Sequence, residues 1–235
     1  MNGTFILAKH KNAPIDNNNS NQIISFTENT YILPKNLLDY YISNGLFEKE
    51  LIEWCKQLCS KDKIMLDIGA HTGTYSISLA GNCKTVYAFE PQRIIYYSLC
   101  GGVALSNIKN VYCKNVGLGS HGQVGTCKIN GISLDGGGAT IHSPNNSMVL
   151  YQEDIEIVTL DSLNLENIGF IKIDVENNEL QVLQGGVKTL EASNYPKIVF
   201  EMNESNPALI NFLNDLNYKI IRVSYNNMYL AEYNS

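Results

Sequence analysis

The sequence predicts an open, doubly wound α/β sheet, and two observations support this fold. Short, nearly continuous apolar runs alternate with helical segments over most of the chain, and two further runs flank a turn near its end. Such runs are typical of parallel strands that helices cover on both faces, with the final pair adding an antiparallel edge. With 235 residues, 44% apolar and 17% charged, the chain has enough apolar material for one domain with an N-terminal extension.

The elements follow in order from residue 37. Leu51, Ile52 and Cys55 recur at helical spacing within 37–59, a segment broken at Asn44-Gly45, and Pro91 precedes another helix. Asn226-Asn227 marks the turn of the last hairpin. The predicted helices are 37–59, 74–79, 92–106, 179–190 and 207–216. The predicted strands are 64–69, 85–90, 111–113, 155–158, 170–174, 197–201, 218–224 and 228–233.

Two parts of the chain lack this pattern. Residues 1–45 form a largely polar extension, which we expect to act as a lid. Residues 117–150 are rich in glycine and predict a long loop or an irregular hairpin, which in compact domains often serves function. These two parts are therefore expected to select the acceptor of any reaction.

Charge and cysteine content exclude several classes of protein. Seventeen basic against 23 acidic residues give a net charge of −6, which argues against a nucleic-acid partner. The six cysteines include no CxxC pair, so a structural zinc site is not expected and the thiols are interpreted as reduced. Neither a signal peptide nor a membrane span is visible, which predicts a cytoplasmic protein without a membrane partner.

Polar side chains end most of the predicted strands. In open α/β sheets ligands bind beyond the carboxyl ends of the strands, so these residues are candidates for a site. A carboxylate there can instead cap the following helix, but four acidic strand ends exceed what folding requires. The set consists of Asp67, Glu90, Asn115, Asp174 with Glu176, and Glu201 with Asn203.

The loop after the first of these strands favours a cationic nucleoside. Gly69 and Gly73 permit a tight turn and close backbone approach to a ligand, but the loop is not GxGxxG and lacks the lysine of a phosphate-binding P-loop. Glu90 lies 23 residues after Asp67, where nucleoside-binding α/β folds place a carboxylate on the ribose hydroxyls. S-adenosylmethionine fits both features.

Four segments resemble the FkbM family of class I S-adenosylmethionine-dependent methyltransferases. They are DIGAHTGTYS from Asp67, YAFEP from Tyr87, VTLD from Val158 and IKIDVENNE from Ile171, with GLFE from Gly45 as a pre-motif segment. The resemblance implies a Rossmann-like, mostly parallel seven-stranded sheet over residues 46–235, with an antiparallel C-terminal hairpin strand. Asn177 stands where the family usually has glycine, and asparagine tolerates a left-handed backbone.

The resemblance also implies O-methylation, commonly of a sugar or polyketide hydroxyl, and assigns cofactor contacts. The backbone of the glycine loop would hold the methionine end, with Asp67 in contact or just behind. Glu90 beside Pro91 would hold the ribose, and Asn115 with Val116 would face the adenine. The expected cofactor set is Asp67, Gly69, Ala70, His71, Thr72, Gly73, Glu90, Pro91, Asn115, Val116 and Asp174.

Catalysis requires a hydroxyl oxygen placed in line with the methyl group and assisted by a base or a metal. Asp174 is the leading candidate for either role, with Glu176 and Glu201 as neighbours and His71 as another possible base. A divalent ion (Mg²⁺ or Mn²⁺) held by Asp174, Glu176 and Glu201 is one option. Hydrogen bonds from Glu176 and Glu179 to the loop backbone, and a loop hydrogen bond for His71, are the structural alternatives.

The expected function is methylation of a hydroxyl on a sugar or glycan. The alternatives are another small-molecule hydroxyl and an inactive cofactor-binding scaffold. Methylation of a nucleic-acid base would require an Asn/Asp-Pro-Pro-aromatic motif, which is absent, and the missing GxGxxG argues against a nicotinamide enzyme. A homodimer is possible.

Overall fold

A computed structural model describes residues 22–26, 29–143, 148–223 and 227–234. Its strands are β1 (Gln22–Phe26), β2 (Asn29–Leu33), β3 (Ile64–Ile68), β4 (Thr85–Phe89), β5 (Val111–Lys114), β6 (Gly117–Leu118), β7 (Gly125–Gly131), β8 (Tyr151–Val158), β9 (Ile168–Ile173), β10 (Lys197–Glu201), β11 (Tyr218–Arg222) and β12 (Met228–Tyr233). Its α-helices are α1 (Leu38–Asn44), α2 (Lys49–Cys55), α3 (Thr74–Leu79), α4 (Arg93–Leu105), α5 (Glu179–Gln184), α6 (Val187–Ala192) and α7 (Pro207–Asp215).

The central sheet confirms the predicted α/β fold. Its strand order is β11-β12-β10-β9-β3-β4-β5, and β3, β4, β5, β9 and β10 are parallel. β12 is antiparallel to both of its neighbours, as the C-terminal hairpin predicts. Two apolar clusters, one involving α2 to α4 and the other α5 to α7, cover the sheet. The chain reverses its direction of winding between β3 and β9, where such sheets bind ligands.

The hairpin of β1 and β2 packs on α4 through two adjacent glycines. A Cβ on Gly101 would lie 2.4 Å from Cδ1 of Ile32, and one on Gly102 would lie 3.3 Å from the Thr30 carbonyl oxygen. Ser106 adds hydrogen bonds to the Thr30 backbone at 2.8 and 3.0 Å. Glycine is unfavourable inside a helix, so this close packing explains the pair. Part of the N-terminal extension therefore belongs to the folded body.

Two predicted helices are each divided in the structure. The 37–59 segment forms α1 and α2, separated at the predicted Asn44-Gly45 break. The single helix expected over 179–190 is instead α5 and α6, interrupted at Gly185 and Gly186. A Cβ on Gly185 would lie 2.0 Å from the Gly119 carbonyl oxygen, so the glycine permits a close backbone contact that sequence periodicity does not reveal.

The glycine-rich segment is more regular than predicted. It contributes β7, and β8 begins four residues before the expected strand at 155–158. Together with β6 they form a second sheet of order β6-β8-β7, in which β7 and β8 are antiparallel. Alternating burial along β7 shows why a strand forms there despite its terminal glycines. Residues 144–147, the first 21 residues and Asn226 of the predicted turn lie outside the described residues.

Among the described residues, no helix is long and apolar enough to cross a membrane. All six cysteines lie in the described part and are free thiols.

Candidate active site

A cavity of about 310 Å³ lies at the carboxyl ends of β3, β4 and β9. The sheet reverses at this point, and the second sheet and the N-terminal segment complete the walls. Asp67, Gly73, Asn115 and Glu201 lie outside the lining. The predicted residues that line it are Gly69, Ala70, His71, Thr72, Glu90, Pro91, Val116, Asp174 and Glu176.

The glycine loop is held directly against the backbone of β9. Gly69 has φ of +77°, and a Cβ there would lie 1.8 Å from the carbonyl oxygen of Asp174. The Gly69 and Ala70 N–H groups donate to the Phe89 carbonyl oxygen at 3.0 and 2.9 Å. Only glycine fits this position, because it needs both a left-handed backbone and the absence of a side chain. The loop is thereby fixed between β4 and β9.

Asp67 stands behind the loop. Its side chain is fully buried, and Oδ2 accepts hydrogen bonds from the Ser76 N–H at 2.9 Å and the Ser76 hydroxyl at 2.5 Å. Its other oxygen, Oδ1, is buried without a hydrogen-bond partner among the described residues. Burial raises the pKa of Asp67. Asp67 therefore anchors the first turn of α3 through Ser76.

Glu90 presents a fixed carboxylate to the cavity. Oε2 accepts the His71 N–H and Oε1 accepts the Gln92 N–H, both at 2.9 Å. The side chain is 3% exposed, and burial raises the pKa of Glu90 to about 7 despite these hydrogen bonds. Each carboxylate oxygen can accept a second hydrogen bond, so the group retains capacity for hydroxyl donors.

A buried lysine connects the candidate base to the glycine loop. Lys172 is 3% exposed, and its Nζ lies 3.0 Å from Oδ2 of Asp174, 3.5 Å from the Gly69 carbonyl oxygen and 4.9 Å from the centre of the Tyr75 ring. The amine thus forms an ion pair with Asp174. Burial alone would raise the pKa of Asp174, but the Lys172 ammonium outweighs burial and lowers it. Asp174 is therefore ionised at neutral pH.

Two further carboxyl groups surround Asp174. Oxygen atoms of Asp174, Glu176 and Glu201 lie within 4.8 Å of one another. Burial, followed by the charges of Asp174 and Glu176, raises the pKa of Glu201 to about 8, and Glu201 hydrogen-bonds Asp174. Burial and the Asp174 charge also raise the pKa of Glu176. Such a cluster can share a proton between carboxyl groups or supply the oxygen ligands that Mg²⁺ prefers.

The cover loop, defined as residues 132–141, closes over the glycine loop. Nε2 of His71 lies 2.7 Å from the Asp135 carbonyl oxygen, and Nε2 of Gln92 donates to the Gly136 carbonyl oxygen at 3.0 Å. Nδ2 of Asn36 donates to Oδ2 of Asp135 at 2.8 Å. Because a carbonyl only accepts, His71 carries its proton on Nε2 and uses it in this contact. The geometry therefore favours the loop hydrogen bond over the catalytic base for His71.

The structure places the two residues of the adenine assignment differently. Asn115 is exposed, and its Nδ2 donates to the carbonyl oxygens of Glu90 and Pro91 at 2.9 Å each. It lies outside the cavity lining, whereas Val116 lies within it. Asn115 therefore holds the Glu90–Pro91 turn in place, and the apolar surface at the end of β5 is left to Val116.

A turn joins β9 to α5, which begins at the predicted residue Glu179. Glu176 therefore lies before the helix and does not share a helix face with Glu179. Oε1 of Glu179 accepts the Val175 N–H at 3.2 Å, which is the structural alternative given for this residue. Glu176 and Asn177 have φ of +53° and +74°. Asn177 thus adopts the left-handed conformation expected at the position where the family has glycine.

Several lining residues were not singled out as site residues by the sequence. Tyr41, within the predicted helical segment 37–59, lies buried in the cavity wall. Glu48 and Tyr75 also line the cavity, and the Tyr75 hydroxyl donates to Oε2 of Glu48 at 2.7 Å. The pre-motif segment ending at Glu48 was the available signal, but its partner is 27 residues away.

These features fit S-adenosylmethionine. The unpartnered Asp67 Oδ1 lies beneath the glycine loop, the Glu90 carboxylate faces the cavity, and carboxylates outnumber cations around Lys172. A cationic nucleoside complements such a site. The fold and the site are those of a Rossmann-like α/β domain with a cavity suited to a cationic nucleoside.

The family follows from a sequence comparison. The chain matches the Methyltransferase FkbM domain over residues 67–220, more than half of its length. The chain therefore belongs to the FkbM methyltransferase family. No curated protein matches the sequence.

Solved structures share the fold at low sequence identity. The FkbM methyltransferase from Methylobacillus flagellatus superposes with a TM-score of 0.54 and 18% identity, covering 82% of this chain and 46% of that one. A precorrin-6y C5,15-methyltransferase from Geobacter metallireducens gives a TM-score of 0.54 and 14% identity, covering 87% and 94%. This chain thus spans under half the length of the M. flagellatus protein.

Proposed function

We propose that this chain transfers a methyl group from S-adenosylmethionine to a hydroxyl oxygen of a sugar or glycan. The observation that carries the proposal is the Asp174 carboxylate on the cavity wall, which pairs with Lys172 and is linked through it to the glycine loop. A base beside the loop that holds the methyl donor is the arrangement that methyl transfer to a weakly acidic hydroxyl requires.

Three parts of the cavity would hold the cofactor. The glycine loop, from Gly69 to Thr72, would bind the methionine end, and Glu90 would accept hydrogen bonds from the ribose hydroxyls. Val116 and Leu118 provide apolar surface for the adenine. When bound, S-adenosylmethionine supplies a methyl group made electrophilic by its sulfonium sulfur.

Asp174 and its neighbours would act on the acceptor. The Lys172 ammonium keeps Asp174 ionised, so its carboxylate accepts the hydrogen of an acceptor hydroxyl and orients the oxygen toward the methyl group. Glu201, with a pKa of about 8, is mostly protonated at neutral pH and hydrogen-bonds Asp174. Asp174 would take the hydroxyl proton as the new bond forms, and the surrounding carboxyl groups would pass it to solvent.

A divalent ion at Asp174, Glu176 and Glu201 is the alternative use of the same groups. Their oxygens are within 4.8 Å of one another, and carboxylate oxygens suit Mg²⁺ or Mn²⁺. An ion there would favour the ionised form of Glu201, whose pKa is raised by burial and by repulsion from Asp174 and Glu176. Turnover measured with Mg²⁺, with Mn²⁺ and after EDTA treatment separates the two arrangements, because the shared-proton arrangement predicts no loss in EDTA.

A neutral, hydroxyl-rich acceptor fits the charge of the site. Asp135 and Glu176, which are not assigned to the cofactor, place carboxylates along the cavity, and carboxylates hydrogen-bond hydroxyl groups while repelling anionic acceptors. Another small-molecule hydroxyl is the second candidate, favoured by the apolar walls that Tyr41 and Ile141 contribute. A cytoplasmic location, as expected from the sequence, belongs to the same proposal.

The first test is calorimetric titration with S-adenosylmethionine and S-adenosylhomocysteine, with NAD as control. Binding of the sulfur nucleosides alone supports the cofactor assignment. A screen of sugars, glycosides and other alcohols with radiolabelled S-adenosylmethionine then identifies the acceptor, using the Asp174→Asn variant as the matched control. Nucleoside binding without transfer to any class of hydroxyl would favour the scaffold, and absence of nucleoside binding would contradict the proposal.

A further inference from the structure

Glu48 has a side chain that is not used in its local structure. It immediately precedes α2, yet its carboxylate makes no capping hydrogen bond to that helix. The carboxylate is thus free of the capping role that a Ser, Thr, Asp or Asn side chain usually has at this position. The Glu48 carboxylate instead reaches the Tyr75 hydroxyl, at 2.7 Å from Oε2, and lines the cavity. Oε1 has no hydrogen bond within the described part of the chain.

The charges around Glu48 do not balance. The buried Lys172 ammonium interacts with the carboxylates of Asp174, Asp67 and Glu48, so three anionic groups face one cation. Lys172 pairs with Asp174, and Asp67 lies outside the cavity lining. Glu48 is thus the member of this set that combines cavity exposure with an unused oxygen. A carboxylate in such a position calls for a cationic hydrogen-bond donor.

The location of Glu48 limits which part of a ligand can reach it. Tyr75, which holds Oε2, is in the first turn of the helix that follows the glycine loop. Lys172 extends from the Gly69 carbonyl oxygen to the face of the Tyr75 ring, so Glu48 belongs to the glycine-loop end of the cavity. Val116 and Glu90, the candidates for adenine and ribose, follow β5 and β4 instead.

We infer that Glu48 binds the α-ammonium group of the cofactor's methionine portion through its free oxygen, while Tyr75 holds the carboxylate in place. The inference rests on the proposed use of S-adenosylmethionine and adds a residue outside the matched family span. The sulfonium carries no N–H or O–H, so the ammonium is the cationic hydrogen-bond donor of this ligand. Glu48 would then recognise the amino-acid part of the nucleoside and would contribute nothing to nucleosides that lack it.

The test compares two nucleosides that differ in this part. S-adenosylhomocysteine carries the ammonium, whereas 5′-methylthioadenosine has only a methyl group on its sulfur. Calorimetric titration of both would be made with wild-type protein and with Glu48→Gln, which keeps the size of the side chain and an acceptor for Tyr75. We expect Glu48→Gln to weaken S-adenosylhomocysteine binding at least about tenfold and to change 5′-methylthioadenosine binding less than about twofold.

Tyr75→Phe is the second variant, since it leaves Glu48 charged but removes the hydroxyl that positions it. We expect a smaller loss, of a few-fold, again confined to S-adenosylhomocysteine. This variant also keeps the inference testable if Glu48→Gln does not melt cooperatively. Equal weakening of both nucleosides, or of neither, would overturn the role of Glu48 and leave the proposed function intact. Wild-type protein that binds 5′-methylthioadenosine but not S-adenosylmethionine would overturn the proposed function as well.

Discussion

The two sides of the cavity are built in different ways. On the sheet side, the glycine loop and Glu90 follow directly from strand ends, and their hydrogen bonds join strands that are already neighbours. On the opposite side, the cover loop is attached through contacts such as His71 to Asp135, which join residues 64 positions apart. Binding of a cofactor shared by many proteins can depend on the sheet side, whereas the choice of acceptor can vary through the cover-loop side. Substitutions on the two sides should therefore differ in both size and character.

The largest effect is expected at Asp174. Asp174→Asn keeps the shape of the side chain but removes the charge that accepts the hydroxyl proton. We expect the rate of methyl transfer to fall by about 10²–10⁴-fold. The affinity for S-adenosylhomocysteine, measured by calorimetry, should change little. Turnover that persists at the wild-type rate would contradict the role of Asp174 as base.

Gly69→Ala should be the most damaging change to the sheet side itself. The added Cβ would meet the Asp174 carbonyl oxygen at 1.8 Å, and the φ of +77° disfavours any side chain. We expect the free energy of unfolding to fall by about 2 kcal/mol or more, with loss of nucleoside binding. Chemical denaturation and calorimetry measure the two effects.

Gly81→Ala is the control for this change. No atom lies within 4 Å of a Cβ at Gly81, so the free energy of unfolding should stay within about 0.5 kcal/mol of wild type. Similar destabilisation by both alanines would mean that the close contact at Gly69 does not cause the loss of stability.

Glu90→Ala should weaken S-adenosylhomocysteine binding by roughly tenfold or more, because hydrogen bonds to a charged group are lost. Glu90 should also make nucleoside binding depend on pH. Burial raises the pKa of Glu90 to about 7. The folded protein without ligand therefore keeps the Glu90 carboxyl protonated at pH values at which the unfolded chain has already lost that proton. A ligand that requires the ionised carboxylate therefore binds more weakly as pH falls from 8 to 6.

Titrations at several pH values check this expectation. The pH dependence should be reduced in Glu90→Ala. An unchanged slope would assign the effect to another group and remove the support for a ribose contact at Glu90.

The smallest effect is expected on the opposite side of the cavity. Asn36→Ala removes one exposed hydrogen bond to Asp135 and should lower the melting temperature little. Its expected consequence is faster amide hydrogen exchange in the cover loop, with nucleoside affinity reduced less than about threefold. A loss as large as that of Glu90→Ala would show that the two sides are not energetically distinct.

This contrast also explains what could be predicted from the sequence. The glycine loop and Glu90 were found because their positions depend on strand ends and short turns, which the chain carries locally. The contacts of Asn115 could not be predicted, because its side chain turns back to the Glu90 and Pro91 carbonyls, 25 and 24 residues away. β7 was not predicted as a strand because the glycines at its ends are typical of a loop. It forms a strand because it pairs with β8, which is distant in the sequence. Glu48 has a recognisable motif, but its role depends on Tyr75.

The hydrogen bonds of His71 link the two sides of the cavity thermodynamically. Its backbone N–H is donated to Glu90, the proposed ribose ligand, and its ring contacts the cover loop. A nucleoside that orders Glu90 is therefore expected to stabilise the cover loop as well, and by linkage an ordered cover loop would raise the affinity for the nucleoside by the same factor.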